Sequence, residues 1–348
     1  MTSDSLLPSP TRDAILDHIA RTTFSSLPAE VVAATNVAIA DTLACGMAGS
    51  AESKASIVRQ LQMSHFGLGG GPVWGTDQLL APIGAGVANG YQVHCLDNDC
   101  LHEAAGVATM SVILPAVFDY ADRFGRVTGA DFITAVNIGA DVAVLLGLAA
   151  TKDAYFSRTA VCGALGAAAA LAKLEGFDRP TTAEYFGLVY SQLSGTQQAQ
   201  TESSMAVSLQ ISFSVRNVLT ALDMARYYLT GPVDVFDGPH GYFEVFERDG
   251  DPTPHLGTLG KVWRTTEISF RPVPSERVSH ASETPMSADM SADQLRAKFM
   301  TCAAAASHPL TVEMAEHLYT RLLALHDEKE VSVLSNLAAG FDLEDAPQ

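Results

Sequence analysis

Apolar residues recur at helical spacing along most of the chain, and strand-like alternation is rare. After Leu27-Pro28 the stretch AEVVAATNVAIADTLACGMAG, residues 29–49, joins a first-turn proline to helical apolar spacing and a closing glycine. Thr128-Gly-Ala-Asp131 opens a second long helix, with a hydroxyl cap and an acid in its first turn. Thr181–Glu184 and Ser291–Gln294 have capping-box spacing. Gly163, Gly166 and the run Ala167–Ala170 mark a helix whose neighbours come close to its backbone. Pro72–Gly75 and Val262–Phe270 are the best strand candidates. Two helices are expected near 291–305 and 310–327, followed by a frayed acidic tail. The predicted fold class is all-α with a minor β element.

Composition narrows the function classes. The 348 residues are 47% apolar and 17% charged, enough to bury a large core. Asp and Glu total 39 against 21 Lys and Arg, a formal net charge of −18, which argues against nucleic acid or an anionic membrane as partner. A polyanionic substrate would need a local basic pocket to overcome that field. Five cysteines in apolar surroundings, with no Cys-x-x-Cys pair, fit a reduced cytoplasmic protein without a zinc site of that kind. The first twenty residues lack the basic start and apolar run of a signal peptide, and the longest apolar stretch is interrupted by Asp141.

The densest polar cluster is His94-Cys-Leu-Asp97-Asn-Asp99-Cys-Leu-His102-Glu103, set between the apolar runs 80–93 and 107–121. Polar groups at the joint of two buried helices are costly unless hydrogen-bonded or used. Three readings compete. Asp97 and His102 serve proton transfer; His94, Asp97, Asp99 and His102 hold a metal; or Asp97 and Asp99 simply cap helices. The spacing fits no common metal-ligand motif, so no metal is assigned.

The same block resembles the MmgE/PrpD family motif Ala-His-x-Leu-Asp-x-Asp-Asp-x-His, aligned here on Val93–His102. The Leu-Pro opening before residue 29, Leu114–Val117, the small-residue helix Cys162–Leu174, Met205–Leu219, Gly238–Phe243 and Thr284–Phe299 resemble further family blocks in order. The resemblance implies a helical domain over residues 1–270, a linker 271–290 where the family inserts an α+β lid, and C-terminal helices over 291–340. It further implies chemistry on small carboxylates without metal or organic cofactor, as in 2-methylcitrate dehydratase, cis-aconitate decarboxylase and iminodisuccinate epimerase, and a homodimer.

Position by position, the basic groups implied by the resemblance are missing. Ala108 and Ser157 stand where it sets histidines, Val207 and Ser208 where it sets Lys-Arg, and Ile211 where a histidine is frequent; Arg271 retains a cation. Without those groups a tricarboxylate loses its clamps, so methylcitrate and cis-aconitate are poor candidates. The expectation is a cofactor-independent lyase or isomerase acting on a less anionic small molecule. Its catalytic groups would be Asp97 and His102, with His94, Asp99, Ser157, Arg158, Gln210 and Arg271 binding substrate. The alternative is a non-catalytic subunit that pairs with another protein.

Overall fold

The computed structural model describes residues 8–150, 154–272, 286–287 and 290–341. Helices α1 (Pro10–Arg21), α2 (Ala29–Gly49) and α3 (Ser53–Phe66) lead to a two-stranded antiparallel hairpin, β1 (Leu68–Pro72) and β2 (Leu79–Leu80). Then come α4 (Pro82–His94), α5 (Met110–Phe124), α6 (Gly129–Leu148), α7 (Arg158–Glu175) and α8 (Arg179–Tyr190). The short α9 (Gln198–Thr201) precedes α10 (Ala206–Arg226), with the single turns α11 (Tyr242–Val245) and α12 (Thr253–Leu256) after it. Last are α13 (Ala292–Ala304), α14 (Val312–Leu323) and α15 (Ser332–Ala338). The fold is mostly all-α, as its apolar periodicity predicts.

The core lies where α6 and α7 cross. A Cβ on Gly166 would sit 2.5 Å from the Gly139 carbonyl, and one on Gly139 would sit 2.9 Å from that of Gly166. Only glycine permits this approach, and the alanines after Gly166 extend the close contact. Both α2 and α6 are long and apolar enough to cross a membrane, but 78% and 89% of their apolar windows are buried inside the fold. They are core helices, apolar all round because neighbours surround them. Within α6 the fully buried Asp141 accepts from the Arg264 amide at 2.8 Å and lies 3.1 Å from His18 Nε2. His18, readable from sequence as a solvated or packing residue, is therefore a buried tether between α1 and α6.

Several boundaries differ from the sequence reading. Ser291 and Gln294 form the expected capping box of α13. Helix α8 starts earlier than Thr181, because Asp178 accepts from the Thr181 amide and Pro180 occupies the first turn. The segment 262–270 is a 3₁₀ turn, Arg264–Glu267, followed by bridge pairs at Ser269 and Phe270 rather than a strand. Its buried residues come in two blocks, Trp263–Thr265 and Ile268–Phe270, separated by the exposed Thr266 and Glu267. The hairpin strand covers Leu68–Pro72 and so shares only Pro72 with the expected Pro72–Gly75 strand, and Trp74 enters the core. Residues 273–285 of the expected linker and 342–348 of the expected tail lie outside the described residues.

Candidate active site

The polar joint 94–109 links α4 to α5 and forms the floor of a cavity of about 290 Å³. The chain turns sharply here because Asp97 adopts a left-handed conformation, φ 54°, and Gly106 another, φ 63°. Left-handed φ is uncommon for a residue with a Cβ, and aspartate is one of the few that tolerate it. Leu101 bridges to Ser269, pinning the loop to the segment that delivers Arg271.

Below the loop runs a buried ion pair. Lys298 of α13 lies 2.6 Å from Asp41 of α2 and donates to the Asn98 carbonyl at 2.8 Å. Burial alone would depress the Lys298 ammonium, but the Asp41 carboxylate and nearby Cys45 and Cys302 outweigh it and hold it above its usual value. The loop thus rests on a charge that cannot readily be lost.

The joint contains two histidines, which face different ways. His94, the last residue of α4, lines the cavity and lies 2.9 Å through Nδ1 from the Asp99 carboxylate. Asp99 is 4% exposed and also accepts from the Ser111 hydroxyl. Burial would lower the His94 imidazole, but the charge and hydrogen bond of Asp99 outweigh it and raise it above the usual 6.5. Burial would likewise raise Asp99, yet the charge of His94 and the bonds from His94 and Ser111 hold it below 3.8. With Nδ1 engaged, Nε2 is the nitrogen that remains for chemistry.

His102 does not line this cavity. Its Nε2 lies 2.9 Å from Glu267, its Nδ1 accepts from the Ala105 amide at 3.2 Å, and its backbone bridges to Val107. Both ring nitrogens are occupied in holding the loop. Sequence spacing gives no sign of which histidine turns inward, and the catalytic expectation for His102 meets a side chain committed elsewhere.

The remaining expected residues converge. Asp97, Asp99, Ser157, Arg158, Gln210 and Arg271 all line the cavity. Arg271 Nη2 stands 3.7 Å from the half-exposed Asp97 carboxylate. Arg158 makes a two-point contact with Glu247, Nε at 2.7 Å and Nη2 at 3.3 Å, which fixes its fork. Ser157 caps α7 by accepting from the Ala160 amide, so the positive end of an 18-residue helix opens into the cavity. Thr159, one residue past Arg158, accepts from the Ala108 amide at 3.0 Å. Thr196 and Gln197, just before α9, and Gln200 within it complete the wall and carry no recognisable sequence signal.

Among the described residues, no three His, Cys, Asp or Glu side chains converge as a metal site would require. The cavity carries two guanidinium groups, the Asp97 and Asp99 carboxylates, one imidazole that gains a proton readily, and several neutral amides and hydroxyls.

The MmgE/PrpD N-terminal domain model matches residues 13–255. The chain belongs to the MmgE/PrpD family. It is 31% identical to a cis-aconitate decarboxylase-like protein, oryM, of Aspergillus oryzae, over 71% of this chain and 55% of that one. It is 25% identical to a cis-aconitate decarboxylase of Aspergillus terreus, over 70% of this chain and 53% of the relative, and 25% identical to that of Mus musculus over similar shares. The chain thus spans a little over half the length of the curated relatives it matches. Within this MmgE/PrpD chain, Ala108, Ser157 and Val207 line the cavity where the family resemblance sets basic residues, whereas Ile211 is buried in the core.

Proposed function

We propose that this chain is a lyase or isomerase of the MmgE/PrpD type that moves a proton beside the carboxylate of a small acid less anionic than a tricarboxylate. The observation that carries this reading is the Asp99–His94 pair aimed into a cavity that also holds Arg158, Arg271 and the N-terminus of α7. Two guanidinium groups and a helix N-terminus suit one carboxylate. Each guanidinium already faces an acid, Glu247 or Asp97, so little positive charge is left for a second or third carboxylate.

In this reading Asp97, at the edge of the cavity, takes the proton from the carbon beside the bound carboxylate. His94, whose charged form Asp99 favours, returns a proton through Nε2 to the leaving oxygen or to the neighbouring carbon. Those two fates are dehydration and isomerisation. Asp99 and Ser111 hold the ring and stabilise its charged form; His102 positions the loop through Glu267. No organic cofactor or metal is assigned a step, in keeping with the family resemblance.

Hydrogen–deuterium exchange tests the proposal. Unsaturated and hydroxylated mono-, di- and tricarboxylates, incubated with the protein in D₂O, are followed by proton NMR. Deuterium should enter a mono-acid next to its carboxylate, Asp97→Asn should abolish that exchange, and His94→Gln should abolish net turnover, with circular dichroism unchanged in both. Exchange into tricarboxylates alone would contradict the charge argument. No exchange with any acid would favour the non-catalytic reading, in which the cavity is a relic.

We also propose that the chain forms a homodimer. Ile57 and Leu61 on one face of α3 are exposed, and Phe66 and Leu68 continue the apolar surface past its end. Light scattering at the monomer mass would refute this.

A further inference from the structure

The cavity does not end at His94. A second space of about 500 Å³ adjoins it, and His94, Asp97, Gln200 and Val207 line both. The two are lobes of one cleft, with the short apolar Val207 side chain on the shared edge. The inner lobe alone has room for a very small acid. Together the lobes fall in the range that takes metabolites of larger size.

The lobes differ in chemistry. The inner lobe has the guanidinium groups and the α7 N-terminus. The outer lobe opens between the start of α3 and the turn that leads into α10. Beyond His94 and Asp97 on the shared edge, its charged groups are one acid and one base, Glu52 and Lys54, which offset each other. The rest is neutral: hydroxyls from Ser203, Ser204 and Ser208, and the phenol of Tyr91. Burial, with the nearby Cys95 and Glu52, pushes Tyr91 up to about 12, so the phenol remains a neutral donor and acceptor.

Resting on the reading of the inner lobe as a carboxylate site, we propose that the substrate is an elongated mono-acid whose carboxylate lies by Arg158 and Arg271 and whose neutral, hydrogen-bonding tail, an amide or hydroxyl, extends past Val207 into the outer lobe. A second carboxylate at the far end would meet Glu52. A purely alkyl tail would displace water from the outer-lobe hydroxyls and return no hydrogen bond, a cost that discriminates against it. The outer lobe thereby sets specificity while the inner lobe performs the chemistry.

Titration calorimetry on the full chain tests this with four probes: propanoate, hexanoate, adipate and adipic acid monoamide. The monoamide should bind about fivefold or more tighter than propanoate and hexanoate, the worth of one added hydrogen bond. Met205→Trp, which fills the outer lobe from a partly exposed position, should remove that gain and leave propanoate binding intact. Glu52→Gln, at the start of α3 where the half-buried side chain makes no capping hydrogen bond, should raise adipate affinity by a similar factor. Equal binding of propanoate and monoamide, or a monoamide gain that survives Met205→Trp, would overturn the two-lobe proposal and leave the inner carboxylate site standing. Hexanoate or adipate binding tighter than the monoamide would overturn the neutral tail. If none of the four binds, both this inference and the carboxylate reading fall.

Discussion

Replacing Lys298 by methionine removes the ammonium that supports the site loop. Lys298 and Asp41 are 1% and 2% exposed at their side chains, so neither charge is compensated by water. Breaking a buried pair by deleting one partner costs about 3–5 kcal/mol, because the other charge is left stranded. The Asn98 carbonyl also loses its donor, adding about 1 kcal/mol. With an unfolding entropy of roughly 2.1 cal/mol/K per residue, a 348-residue chain loses ~1.4 °C of Tm per kcal/mol. Lys298→Met should therefore melt about 5–8 °C below the parent at pH 7 in scanning calorimetry. Asp41→Leu together with Lys298→Met should recover most of that loss, since an apolar pair of similar volume escapes the desolvation penalty. A single variant that melts with the parent, or a double variant no better than the single, would refute the buried pair as the support of the loop.

The His94–Asp99 pair should be visible in its pH dependence. His94 is raised above 6.5, so its share of stability is complete below that value and is lost as pH rises through the raised pKa; Asp99 is lowered, so its share is present above about 3.8 and lost below. By NMR the His94 ring should titrate above 6.5, and Asp99→Asn should lower its midpoint, because burial and Arg271 would then be opposed by Asp97 alone; an unmoved midpoint would contradict the pairing. Burial, aided by Asp223 and opposed by Arg123 and the Gly86 backbone, raises the Asp119 carboxyl to about 7. A carboxyl raised in the folded state holds its stability below its ordinary pKa and gives it up as pH climbs through about 7, at ~1.4 kcal/mol per unit. Asp119→Asn should therefore gain on the parent steadily between pH 5 and 7 in urea titrations, and parallel profiles would refute the assignment.

Helices and their caps could be read from sequence because each depends on residues close in the chain. Thr128 and Ser291 cap helices that begin one residue later, and the small residues around Gly166 predict the close crossing seen at Gly139. The region 262–270 reads as a strand from sequence because its apolar residues are spaced through a 3₁₀ turn whose flanks, Trp263 and Ile268–Phe270, are buried. The polar joint 94–103 could be picked out because charges between two apolar helices need an explanation. The roles within it could not. Which histidine enters the cavity depends on Glu267 binding His102 from 165 residues away and on Lys298 holding Asn98 from 200 residues away. The glutamines and threonine of the 196–200 wall are neutral and lie in or just before the short α9, so no spacing rule marks them.

The central claim is that Asp97 takes a proton from the carbon beside a bound mono-carboxylate while His94, oriented by Asp99, returns one. The most direct measurement is deuterium incorporation from D₂O beside the carboxylate, followed by proton NMR, with the parent chain, Asp97→Asn and Arg271→Met side by side. The account predicts incorporation by the parent, none by Asp97→Asn, and weakened acid binding in Arg271→Met. Full incorporation by Asp97→Asn would contradict it.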